Sequence, residues 1–230
     1  MPARPSLRPR RLSGRRAWSR RDVALVATML AATLLTAPGI EGQLLWDAPR
    51  MSGPESPGGF GVYWLRAGAL PGDGDAVFGT WALPGFDGAV TLRGGAGDGA
   101  AGATAGFGGV DLRAPLASHS DGQPLDLAWN GGAGVGVGEY VLVSVPMGIS
   151  AGRSWSSGAV WFAPYLSAGL ALEYRTGDEA PDDDFAVQGM AGVGLDLAFD
   201  RERRFVVRAA VELADRQAIA VGFSLGGGSR

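Results

Sequence analysis

Large apolar residues alternate with small or polar residues along most of the chain after residue 58, a pattern typical of β-strands with two unlike faces. In 161–175, for example, Leu166, Leu170 and Leu172 share one face, and Glu173 falls on the other. These segments predict about ten strands in one domain. The segments with this pattern are 110–114, 125–137, 141–150, 161–175, 185–199, 205–213 and 219–225, with weaker candidates at 60–70, 77–83 and 89–93.

The connections between these segments are short and have the composition of turns. Pro71–Gly74, Pro84–Gly88 and Ser118–Gly122 each combine glycine with aspartate, and two of them begin with proline. We interpret Gly131–Gly138 as strand, because its valines alternate with glycine, and Gly94–Gly102 as a flexible connection. The order of strands and short links predicts an antiparallel meander.

The residues on the second face of the strands, opposite the large apolar side chains, distinguish a soluble barrel from a membrane barrel. A soluble barrel directs its large apolar side chains inward, whereas a membrane barrel directs them toward lipid and lines its lumen with small and polar residues. Here the second face is mostly glycine, alanine and serine, which suit a crowded interior better than a water-facing surface. The predicted fold is therefore all-β, an antiparallel up-and-down transmembrane β-barrel of 8 or 10 strands.

Charged residues of both signs also lie on the second face. Because a buried charge is stable only when paired, we predict an ion-pair network inside the barrel that closes a small pore. The alternative is that some of these side chains lie near the rims and are solvated. The candidate lumenal residues are Arg93, Asp111, Arg113, Asp126, Glu173, Arg175, Asp196, Arg208 and Glu212.

Aromatic residues cluster near the predicted strand ends. Such positions fit the aromatic girdles of membrane barrels, although ordinary β-propensity would also place aromatic residues in strands. The residues concerned are Tyr63, Trp64, Trp81, Trp129, Tyr140, Trp155, Trp161, Phe162 and Tyr174.

Residues 58–226 resemble the small outer-membrane β-barrel class of OmpA-type and opacity-type barrels. Ala220–Leu225 is similar to the terminal strand signal by which such barrels are recognised for insertion, although the tail 227–230 follows where the family usually ends on an aromatic residue. The resemblance implies an outer-membrane protein with a structural or interaction role and at most limited passage of small solutes. It also implies a monomer whose partners are outer-membrane lipid and the barrel-insertion machinery.

The first 42 residues have the parts of a secretory signal peptide. An arginine-rich region ends at Arg21, and the apolar run Val23–Leu35 precedes small residues. This run is shorter than the roughly 20 residues of a membrane-spanning helix. We therefore expect cleavage between Ala37 and Gln43, which leaves a short segment, 43–57, ahead of the barrel; the alternative is a retained N-terminal anchor.

Composition excludes several kinds of chemistry. The chain has no cysteine and one histidine, His119, which excludes disulfides, thiol catalysis and multi-histidine metal sites. Residues 44–230 carry 12 basic and 21 acidic groups, so we expect no nucleic-acid partner. The sequence Ser118–Ser120 fits a turn better than a catalytic group, and Asp182–Asp184 lacks the spacing of a calcium loop.

We therefore predict no catalytic residues, no cofactor, no metal site and no enzymatic activity. Two alternatives stay open at this point. One is a soluble exported β-barrel that binds an apolar ligand in its interior. The other is a lipid-modifying outer-membrane enzyme.

Overall fold

The structure is a computed structural model. The predicted signal peptide, the tail 227–230 and the acidic sequence Asp182–Asp184 lie outside the residues that it describes. Within the described residues, no helix is long and apolar enough to cross a membrane. The described residues are 49–67, 74–84, 86, 89–98, 104–120, 122–138, 140–177, 185–213 and 217–226.

The described residues form a closed antiparallel β-barrel. The sheet closes because β1 pairs with β11 and β6 pairs with β8. The short β7 continues the edge of β6 by pairing with the start of β8, so ten strands form the wall. The predicted all-β antiparallel barrel is confirmed, with the larger of the two expected strand numbers. The strands are β1 (Gly59–Ala67), β2 (Asp75–Ala82), β3 (Val90–Asp98), β4 (Thr104–Ala117), β5 (Asp126–Val137), β6 (Val141–Gly152), β7 (Trp155–Ser157), β8 (Val160–Thr176), β9 (Phe185–Ala198), β10 (Phe205–Leu213) and β11 (Gln217–Gly226).

Strand direction gives the barrel two ends. At one end, called here the terminal end, β1 begins at Gly59 and β11 finishes at Gly226, so the chain enters and leaves the barrel on the same side. β2, β4, β6 and β9 also finish at this end, whereas β1, β3, β5, β8 and β10 finish at the other end, called here the opposite end.

The predicted alternation appears as alternating burial along the strands. In β6, Ser144 and Ser150 are buried, whereas Val145 and Ile149 are 39% and 54% exposed. In β8, Leu170 is 51% exposed while the side chains on the other face are buried or half-buried. Large apolar side chains therefore point away from the barrel, and small, polar and some aromatic side chains point into it.

Glycine in the wall makes room for aromatic side chains in the interior. A Cβ atom added at Gly194 would lie 2.2 Å from Cζ of Tyr165, so the aromatic ring occupies the space that a side chain would need. The high glycine content is therefore part of the interior packing. Three interior aromatics lie against the glycine directly opposite on the neighbouring strand: Tyr63 against Gly222, Phe78 against Gly95, and Tyr165 against Gly194.

Two predictions about individual segments are wrong. Gly94–Asp98 belong to β3 rather than to a flexible connection, because their pairing with β2 and β4 continues and Gly95 accommodates Phe78. Tyr63 and Trp161 do not belong to an outer girdle, since they are 1% and 2% exposed and face the interior. Both differences have the same cause, because glycine and alanine on the inner face leave space for aromatic rings. Gly95 in β3 accommodates Phe78, Gly222 accommodates Tyr63, and Trp161 packs with Ala163 and Ala198.

Candidate functional site

The segment 49–58, called here the plug, precedes β1 and lies inside the barrel. Met51 is 5% exposed and belongs to the same interior cluster as Tyr63 and Phe78. A Cβ atom added at Gly53 would lie 2.6 Å from Cδ1 of Tyr165, so the plug backbone contacts this ring closely. The lumen is therefore filled by the chain's own N-terminal segment as well as by side chains of the wall.

Arg113 and Tyr165 bind the plug backbone from two sides. Nη1 of Arg113 donates hydrogen bonds to the carbonyl oxygens of Gly53, at 2.9 Å, and Ser56, at 3.1 Å. The hydroxyl of Tyr165 donates to the carbonyl of Arg50 at 2.8 Å. These carbonyl groups have left bulk water, and the wall side chains supply the hydrogen-bond donors that they would otherwise lack.

Arg208 and Asp196 form a further attachment of the plug. Their side chains make an ion pair with a distance of 3.5 Å between Nε and Oδ1, and both are almost fully buried. Arg208 also donates to the carbonyls of Met51, at 3.0 Å, and Pro57, at 2.6 Å. The hydroxyl of Ser56 donates to Asp196 Oδ2 at 2.5 Å. Hydrogen bonds to charged groups contribute about 1.5–3 kcal/mol each, so this cluster holds the plug in one position.

The structure brings six of the nine candidate lumenal residues into ion pairs on the inner face. Arg113 binds the plug, and Asp126 binds His119. Glu212 is half-buried and lines an interior cavity. The pairs are Arg93–Asp111 at 3.3 Å, Arg175–Glu173 at 3.0 Å and Arg208–Asp196 at 3.5 Å.

Arg50 brings a further guanidinium from the plug into the lumen. It lines a cavity of about 40 Å³ together with Arg93 and Asp111, and a second of about 10 Å³ together with Asn130 and Glu212. Burial lowers the pKa of Arg50, and the Asp111 carboxylate opposes this change. Arginine side chains keep their charge in proteins, so Arg50 brings a positive charge to Asp111 and Glu212. Cavities of this size hold at most a few water molecules.

His119 lies at the terminal end, between the wall and the plug. Its Nδ1 atom is 3.0 Å from Asp126 Oδ2 and 4.0 Å from Glu55 Oε1. The backbone N–H of His119 donates to Asp126 Oδ1 at 2.9 Å. The sequence predicted a turn at His119 but gave no indication of its neighbours, because Glu55 and Asp126 come from separate parts of the chain.

The outer surface is apolar and carries aromatic residues toward both ends. Near the terminal end, the rings of Phe205 and Phe223 stack with their centroids 5.5 Å apart. Toward the opposite end, Tyr174 and Phe185 are paired on adjacent strands and are 48% and 62% exposed. Among the described residues, the exposed aromatics are Phe60, Trp64, Trp81, Phe86, Trp129, Tyr174, Phe185, Phe199, Phe205 and Phe223.

Comparisons of the chain with family models, with curated proteins and with solved structures gave no match. Two features of this chain bear on its function: the apolar outer surface and the filled lumen.

Proposed function

We propose that the chain is an outer-membrane β-barrel protein with a structural or interaction role, and that its N-terminal segment closes the lumen. The observation that carries this proposal is the direction of the two faces. Leu166, Leu170, Val145 and Ile149 are between 39% and 63% exposed. Exposed apolar patches of more than a few hundred Å² are rare on soluble monomers, whereas an outward apolar band is a general property of membrane barrels.

The lengths and closure of the strands support the same proposal. A membrane-spanning β-strand needs about 9–11 residues, and the wall strands have 8 to 17. Backbone N–H and C=O groups cannot stay unpaired in hydrocarbon, so an open sheet edge is excluded there. The pairings of β1 with β11 and of β6 with β8 remove both edges of the wall.

The lumen favours a closed barrel over the two alternatives. A soluble barrel for an apolar ligand needs an apolar cavity, but the plug and the pair Arg208–Asp196 occupy this interior. The two cavities beside Arg50 are too small for a lipid or another organic substrate. We therefore propose that the protein acts through its outer surface and connecting loops. Its proposed partners are outer-membrane lipid and the barrel-insertion machinery.

Reconstitution into phospholipid vesicles tests this proposal. We expect the full chain, folded in detergent and transferred to vesicles, to float with the lipid in a density gradient. Because the lumen is filled, we also expect planar-bilayer recordings without a large, steady open level. A folded chain that stays in the aqueous fraction without detergent would contradict the membrane location, and a large, steady conductance would contradict the closed lumen.

A further inference from the structure

We propose that Glu55, His119 and Asp126 form a Zn²⁺ site that fastens the plug to the barrel wall. The three residues come from three parts of the structure: the plug, the connection between β4 and β5, and the first residue of β5. One ligand atom from each lies within 4.8 Å of the other two.

The distances between the ligand atoms fit a single metal ion. Zinc binds histidine nitrogen and carboxylate oxygen at about 2.0–2.2 Å in a tetrahedron, so its ligand atoms stand roughly 3.3–3.6 Å apart. Here the distance from His119 Nδ1 is 3.0 Å to Asp126 Oδ2 and 4.0 Å to Glu55 Oε1. Small side-chain rotations would therefore bring all three atoms to one ion, with water as the fourth ligand.

Two further contacts orient the ligands. The backbone N–H of His119 donates to Asp126 Oδ1, and this bond holds the carboxylate against the imidazole, with Nδ1 3.0 Å from Oδ2 and 3.3 Å from Oδ1. The neighbouring Ser56 is held through its carbonyl by Arg113 and through its hydroxyl by Asp196, so the backbone at Glu55 is fixed. Outer contacts of this kind orient metal ligands and strengthen binding.

A third observation points to a ligand that completes the site. The Glu55 side chain is 27% exposed, and its Oε2, the second oxygen of the carboxylate whose Oε1 faces His119, is buried and has no hydrogen-bond partner. A buried carboxylate oxygen without a partner is costly, because it has lost its hydration. A metal ion held by Glu55 would supply the missing positive charge at this position.

The donor set selects a transition metal. One imidazole nitrogen and two carboxylates suit Zn²⁺. Calcium takes about 6–8 oxygen ligands, and magnesium prefers octahedral oxygen coordination with several waters. We therefore expect Zn²⁺ to bind in preference to Mg²⁺ and Ca²⁺.

Calorimetric titration of the full, chelator-treated chain in detergent with ZnCl₂ tests the site. Loss of an outer-shell partner alone weakens metal binding by about 10–100-fold. We expect at least that loss for His119→Ala, Glu55→Gln and Asp126→Asn, the last of which keeps the oxygen that accepts the His119 N–H. Glu202→Gln is the matched control, because Glu202 is an exposed acid at the same end, paired with Arg204.

The role of the plug has its own readout. Glu55 is the ligand that the plug contributes, so Zn²⁺ should raise the thermal unfolding midpoint of the unaltered chain and of Glu202→Gln, but not of Glu55→Gln. Equal zinc affinity in all variants, or equal binding of Mg²⁺, would overturn the site and leave an ordinary hydrogen-bonded His119–Asp126 pair. Full affinity in Glu55→Gln alone would overturn the fastening of the plug. None of these results would affect the proposed membrane location.

Discussion

Replacement of Leu170 by arginine should destabilise the barrel in phospholipid vesicles by about 2–4 kcal/mol, the cost of an arginine at the bilayer midplane on a lipid-facing strand. Leu170 is 51% exposed, lies near the middle of β8 and pairs with Met147 in the middle of β6. A guanidinium at this position would lose its hydration to hydrocarbon. The free energy of unfolding, from reversible urea titration in vesicles, measures the effect.

A second arginine substitution separates lipid from water as the surroundings of this face. Phe199 is 60% exposed and follows β9 at the terminal end. Phe199→Arg should cost only about 0–1 kcal/mol, because charged side chains are tolerated near the membrane interface. Equal and near-zero costs for Leu170→Arg and Phe199→Arg would mean that the outer surface faces water and not lipid.

Replacement of Arg208 by leucine should destabilise the barrel by about 3–5 kcal/mol, the usual cost of removing one partner of a buried ion pair. The substitution leaves the Asp196 carboxylate, which is 0% exposed, without its counter-charge. It also removes the donors for the carbonyls of Met51 and Pro57. Urea unfolding of the folded chain in detergent micelles measures the loss.

Two further variants identify the cause of that loss. Asp196→Leu combined with Arg208→Leu should recover part of the stability, because the Asp196 carboxylate is then no longer buried without its ion-pair partner. Arg204→Leu breaks the exposed pair with Glu202 and should cost at most about 1 kcal/mol. A cost for Arg208→Leu no larger than that for Arg204→Leu would show that the plug and its ion pair contribute little to stability.

Much of the barrel could be predicted from the sequence, because side chains on a strand alternate strictly between two faces. The alternation identified both faces of β6, β8, β9 and β11 correctly. It was weakest at Gly94–Asp98, where the strand has few large side chains and its pairing is supported by the packing of Phe78 against Gly95. The sequence pattern contains no information about that contact.

The plug could not be predicted, because residues 49–58 have no alternation of their own and their partners are distant in the chain. Ser56 bonds to Asp196, and Pro57 bonds to Arg208. The sequence did indicate charged side chains on the inner face. It could not supply the register that places Arg208 directly opposite Asp196, and that register determines which charges pair.

Oxygen accessibility of spin labels along β6 shows whether the outer surface of the barrel faces lipid. The chain has no cysteine, so each introduced cysteine is the single site of labelling. In phospholipid bilayers, labels at Val143, Val145, Met147 and Ile149 should collide readily with oxygen and rarely with a water-soluble nickel complex. A label at the exposed Glu202 should show the reverse. High accessibility to nickel at the four β6 positions, equal to that at Glu202, would contradict a lipid-facing outer surface.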